Sequence, residues 1–171
     1  MSASEKLTFW TIGHSAAELD DLFRLLTAQG VQVLADVRSS PYSQHAPQSN
    51  RELLEPAARR HGLQHVFLGA ELGGRPDDPA LFLPSGKPDY DKMERTQAYQ
   101  RGVAALEQLA RQQRVCIMCS EEDPARCHRG LLVSETLVRA GHEVLHLRHD
   151  GAVETHAAMV KRRTGGQLAL F

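Results

Sequence analysis

The sequence predicts an α/β fold: a three-layer, Rossmann-like arrangement with a mostly parallel sheet of about five strands flanked by helices. Three observations predict it. Short apolar, β-rich runs alternate with longer stretches of helical periodicity along the whole chain. The run Val-Cys-Ile-Met-Cys at 115–119 has no polar alternation, as in a strand covered on both faces. Gly, His, Asp, Arg and Cys gather at the carboxyl ends of the predicted strands, where ligands bind in such sheets.

Residues 7–12 read as a first strand, ending at Gly13-His14-Ser15. Ser15 is a candidate N-cap for a helix over 16–29, with Leu19, Leu22, Phe23 and Leu26 on one face and Gly30 as the stop. Residues 31–37 form a second strand, broken by Arg38-Ser39-Ser40-Pro41. Asn50 can cap a helix that runs to residue 60, and 64–68 is a third strand entering a glycine- and proline-rich loop over 69–87. A long helix over 90–113 precedes the fourth strand at 115–119. A helix over 129–140, a fifth strand at 143–147 and a last helix at 154–163 follow. Residues 1–163 thus make one α/β domain, and 164–171 a flexible tail.

The chain has 171 residues, enough for one domain that buries about 70% of its unfolded surface. Hydrophobic residues at 42% exclude a disordered chain, and a net charge of -1 excludes a general polyanion binder. Nucleic-acid contact would therefore need a local patch. No apolar run is long enough to cross a bilayer, and the first ten residues do not resemble a secretory signal. The three cysteines, Cys116, Cys119 and Cys127, are odd in number and clustered, which points to reduced thiols in the cytoplasm.

The segment at 119–129 reads C-S-E-E-D-P-A-R-C-H-R. A thiol at a buried strand's end, facing a helix N-terminus, has its thiolate favoured. Cys119 is therefore the first candidate for chemistry. The same place can hold an anion, with Arg126, Cys127, His128 and Arg129 as ligand-binding candidates. The spacing is C-x6-R, one residue longer than the C-x5-R of cysteine phosphatases, and three carboxylates lie inside the loop. A metal would have to draw on Cys119, Cys127 and His128, with His14 or His149; without a second, matching C-x2-C pair no metal is assigned. The bland alternative is that Cys116 and Cys127 are small buried hydrophobes.

Asp36 and Arg38 point to one face of the second strand; they form either a structural ion pair or a ligand site in which Arg38 binds an anion and Asp36 orients it. His14 is a candidate proton carrier and Glu71 a candidate acid or base, while Ser39, Tyr42, Gly73 and Gly74 are candidate ligand contacts. No cofactor is identified.

Four blocks together, T-I-G-H-S at 11–15, A-D-V-R-S-S-P-Y-S at 35–43, L-G-A-E-L-G-G-R-P at 68–76 and C-S-E-E-D-P-A-R-C-H-R at 119–129, resemble the domain of unknown function 488 family of bacteria and archaea. The resemblance covers nearly the whole chain. It implies an α/β fold and a site at these blocks, and some members' labels imply a role in DNA repair. The tail carries Gln167, Leu168, Leu170 and Phe171, which resemble the peptide that binds the bacterial sliding clamp. The expected function is a nucleic-acid-associated protein with a phosphate- or nucleotide-binding site, recruited by the clamp, with DNA or a nucleotide as further partner and no membrane. The alternatives are a small-molecule thiol enzyme of phosphatase or sulfurtransferase type, and a non-catalytic adaptor.

Overall fold

A computed structural model describes residues 5–165. Six strands form one sheet: β1 (Thr8–Gly13), β2 (Val33–Asp36), β3 (Gln64–Phe67), β4 (Val115–Cys119), β5 (Glu143–Leu147) and β6 (Val153–Thr155), in the order β3-β2-β4-β1-β5-β6. All pairings are parallel except β5 with β6, which is antiparallel. The predicted α/β, three-layer class is therefore correct.

Alternation along β4 divides the core. Val115, Ile117 and Cys119 join a cluster with Leu72, Tyr99, Leu106, Leu132 and Leu137 on one face. Cys116 and Met118 join Leu22, Phe23, Leu26 and Leu54 on the other. The second cluster is supplied by α1 (Leu19–Ala28) and α2 (Arg51–Arg60). The first draws on α3 (Gly69–Leu72), α5 (Gln97–Gln112), which follows the single turn α4 (Tyr90–Glu94), and α6 (Ser134–Arg139). The chain ends its described part in α7 (His156–Arg163). Among the described residues no helix is long and apolar enough to cross a membrane.

Several elements depart from the expected boundaries. Ser15 does not cap α1; the cap is Glu18, and Ser15 has a φ of 45°. The reason is that His14 and Ser15 continue the ladder past β1, donating their N–H groups to the carbonyls of Cys119 and Ser120 at 2.9 and 2.8 Å. The long helix over 90–113 is two helices, because the Thr96 hydroxyl accepts from Tyr99 N and starts α5 afresh. The helix over 129–140 opens with a π-helical turn, Arg129–Val133, before α6. Residues 153–155, expected next to or within the last helix, form β6 after a turn at Gly151, and Thr155 then caps α7.

The strand order sets the site. β4 lies between β2 and β1, so Cys119 stands beside Gly13, and Met118 beside Asp36. The helix after β1 packs on one face and the helical segment after β4 on the other. Adjacent parallel strands whose crossovers leave to opposite faces open a crevice outside their carboxyl ends.

Candidate functional site

Glycine lets the loop after β4 fold over the end of β1. A Cβ on Gly13 would lie 1.6 Å from the carbonyl oxygen of Glu121, so any side chain there would push the loop away. A Cβ on Gly130 would lie 2.0 Å from the Pro124 carbonyl oxygen. Its absence lets the turn Pro124–Arg126 pack on the π-helical turn, which returns Cys127 to Cys119. The two sulfurs stand 2.7 Å apart, and both thiols are free.

The π-helical turn sends Arg129 into the protein, where it is fully buried. Its Nε donates to Cys119 Sγ at 3.2 Å, and its Nη2 donates to the carbonyls of Glu121 and Glu122 at 2.8 and 3.2 Å. Nη1 donates to the Thr11 hydroxyl. No carboxylate lies within ion-pair distance of it among the described residues, so the anion available to balance this buried cation is the Cys119 thiolate. Burial opposes ionisation of Cys119, but the hydrogen bond from Cys127 and the Arg129 charge outweigh it and hold this thiol below the ordinary range. The same bond to Cys119, then burial, pushes Cys127 up, so the pair holds one proton, on Cys127. Cys116, mid-strand on the opposite face, is pushed up by burial despite the Arg129 charge.

Behind Arg129 a chain of hydrogen-bond contacts continues. Thr11 accepts from Arg129 and lies 2.6 Å from His146 Nδ1; His146 Nε2 lies 3.1 Å from His156 Nδ1, and His156 Nε2 lies 2.9 Å from Glu135. Burial first, then the charge of Arg129, lowers His146 to about 2, so it is neutral. The chain fixes the hydroxyl that orients the guanidinium.

In front of the thiols lies a cleft of about 560 Å³, with Cys119 and Cys127 among its lining residues. Ser39, Gly74, Arg75, Lys87, Tyr90, Arg126 and His128 also line it. Arg75, Lys87 and Arg126 form no ion pair among the described residues. Two of the three loop carboxylates are neutralised elsewhere. Glu122 pairs with Arg148 at 2.8 Å, and Asp123 with Arg162 at 2.7 Å, which holds each carboxyl near 2. The third, Glu121, lines the cleft together with Arg75, Lys87 and Arg126, so cations outnumber carboxylates there.

The other expected residues divide. Arg38 borders the cleft but is 3% exposed, and its donors are engaged: Nε and Nη2 with Asp36 at 2.9 and 2.7 Å, and Nη1 with the Ser49 carbonyl at 2.8 Å. Asp36 and His14 are buried with it; His65 lies 3.2 Å from the Asp36 carboxylate, and His14 Nε2 lies 3.3 Å from Arg38. This is a sealed structural network, and burial lowers His14. Arg129 faces the thiol and is closed to an outside anion. His128 Nε2 donates to the Val37 carbonyl at 2.9 Å, and a Cβ on Gly74 would strike its ring at 2.7 Å. Gly73 packs on Ser39. Glu71 lies outside the thiol cleft, in a separate depression with Phe67, Met93 and Thr96, and Tyr42 is 56% exposed outside both. Among the described residues no three His, Cys, Asp or Glu side chains group as metal ligands. Gln167, Leu168, Leu170 and Phe171 lie outside the described residues.

Sequence reasoning missed Thr11, His146, His156, Glu135, Lys87 and Tyr90. The hydroxyl of Thr11 and the imidazole of His146, mid-strand among apolar neighbours, were the available signal.

The fold is that of a Rossmann-like α/β protein, with two thiols among the residues lining a cleft at its strand ends. The chain belongs to the family described as Domain of unknown function DUF488, whose sequence profile matches residues 18–136. That stretch includes the whole 119–129 loop and Glu135, and excludes His146 and His156. No curated protein and no solved structure matches the chain.

Asp36 gives a pH test of the sealed network. Burial works against its charge, but hydrogen bonds from His65 and Arg38 and the Arg38 charge win, taking it from 3.8 to about 2. A carboxyl whose folded value is depressed stabilises the fold above its unfolded value, and that contribution is lost as pH falls towards about 2. Asp36→Asn is expected to flatten the acid limb of stability between 3.8 and about 2 in urea melts. At neutral pH it costs about 3–5 kcal/mol, because Arg38 is left buried and unpaired. Parallel pH curves for the two proteins would contradict this.

Proposed function

We propose that this chain is an enzyme in which the Cys119 thiolate acts as a nucleophile on a small anionic substrate, a phosphate-bearing group or nucleotide in the first place. The observation that carries the reading is the buried Arg129–Cys119 contact beside a cleft lined by three cations that form no ion pair among the described residues. An adaptor has no need to hold a thiol ionised beside a cleft.

The chain's own groups support one course for the reaction. Arg75, Lys87 and Arg126 bind the anionic part of the substrate; Arg129 keeps the nucleophile charged and aligned. Cys119 Sγ bonds to the electrophilic atom as the leaving group departs with the bonding pair. Bond formation consumes the thiolate charge that holds the Cys127 proton in place. Cys127 then becomes the acid closest to the departing group.

Alkylation tests this without knowledge of the substrate. Iodoacetate is anionic and iodoacetamide is not, and each nearby unit charge is worth about 1 kcal/mol at 4 Å in water, or about fivefold in rate. Cys119 is expected to prefer iodoacetate relative to a free thiol by about that factor, and inorganic phosphate should slow it. Arg126→Ala and Lys87→Ala should abolish the preference while leaving the iodoacetamide rate near that of the parent. Equal relative rates for the two reagents, or faster labelling of Cys116 than of Cys119, would overturn the reading.

A second, independent proposal rests on the sequence of the tail: recruitment to the bacterial sliding clamp through Gln167, Leu168, Leu170 and Phe171, which would bring the chemistry to DNA repair or replication. Two buried apolar side chains, set against the loss of freedom on ordering, suit a short peptide of about micromolar affinity. Deleting residues 167–171 should abolish binding to the clamp in calorimetric titration and leave the melting temperature unchanged. Absence of binding by the full chain at tens of micromolar would end the proposal.

A further inference from the structure

We propose that Cys119 and Cys127 are a redox-active dithiol, which exchanges with anionic low-molecular-weight disulfides of the glutathione type through a reversible internal disulfide. This rests on the reading of Cys119 as nucleophile and assigns Cys127 as the resolving thiol of the same site.

The two sulfurs are in direct contact at 2.7 Å without a bond between them, so a disulfide of roughly 2.05 Å needs them to approach further by only a fraction of an ångström. Residues 120–126 are already closed on themselves by the Pro124–Arg126 turn, the Asp123 cap and the contact at Gly130, so oxidation needs little movement of the chain. Cys116 is on the opposite face of the sheet and does not compete. Arg75, Lys87 and Arg126, which form no ion pair among the described residues, suit the carboxylates of a glutathione-type molecule, and the cleft that they line is also bordered by Cys127 and by Cys119, which is 2% exposed.

The exchange balances without a further reagent. The Cys119 thiolate attacks one sulfur of glutathione disulfide, forming a mixed disulfide and releasing one glutathione thiolate. Cys127 passes its proton to that thiolate and attacks Cys119 Sγ, expelling the second glutathione as thiolate. The protein loses two electrons and one proton; glutathione disulfide becomes two glutathione molecules, one protonated and one ionised. Arg129 sets the poise of the pair. In the dithiol form it holds the thiolate, and in the disulfide form it is left with Thr11 and two carbonyls. A buried cation that loses its anion favours reduction, so the disulfide is more oxidising than a structural one.

The test treats the full chain with glutathione disulfide and follows intact mass and cysteine-containing peptides. The wild type is expected to lose two hydrogen masses, with a Cys119–Cys127 cross-link that reduced glutathione reverses. Cys127→Ser and Cys127→Ala should instead accumulate one glutathione on Cys119, and Cys119→Ser should form neither product. A wild type that stops at a stable glutathione adduct on Cys119 would overturn the dithiol while leaving the nucleophile intact. A wild type in which Cys119 reacts with neither glutathione disulfide nor iodoacetate would overturn both.

Discussion

Arg129 is a cation with no exposed surface, and the arrangement of the candidate site follows from the need to satisfy it. An isolated buried charge costs several kcal/mol even after relaxation, and a hydrogen-bonded partner of opposite sign must offset this. In most proteins the partner is a carboxylate. Here it is the Cys119 sulfur, with the Thr11 hydroxyl and two backbone carbonyls completing the guanidinium's bonds. Those carbonyls reach Arg129 because Gly13 leaves room for the loop, and Thr11 is itself held by His146 and His156. The sheet, the glycines and the imidazole chain thus all bear on one sulfur atom.

Charge is arranged in three zones around that sulfur. Asp36, Arg38, His14 and His65 are closed together and hold the loop after β2. Glu122 and Asp123, whose carboxylates would oppose an anion, are turned to Arg148 and Arg162. The cleft itself keeps Arg75, Lys87 and Arg126 without ion pairs among the described residues. The separation explains how a loop containing three carboxylates can still border a cleft lined by more cations than carboxylates: the sequence places the charges near one another, and the fold neutralises two of them away from the thiols.

The fold was legible in the sequence where periodicity was strong. Five strands and their parallel pairing follow from apolar runs such as 115–119, but β6 has three residues, and its Glu154 and Thr155 read as the start of the last helix because so short a strand carries no alternation long enough to register. That Gly13, Asp36 and Cys119 come together at one edge was equally legible, since they end neighbouring strands. Which side chains open to solvent was not. Arg126 and Arg129 look alike in the sequence, yet a π-helical turn buries one while the other borders the cleft. The meeting of Cys119 with Cys127 depends on Gly130 allowing close packing against Pro124, a tertiary contact without local signature.

The most direct test of the Arg129–Cys119 pairing is a thiolate absorbance titration of the native protein, with Cys119→Ser as the control that assigns the signal. One thiol of the three should ionise clearly below the ordinary cysteine value of about 8.5, and that step should vanish in Cys119→Ser. A native protein that shows no thiolate until about pH 8.5 or above, or a low step that persists in Cys119→Ser, would contradict the claim that a buried arginine holds this sulfur as its counter-ion.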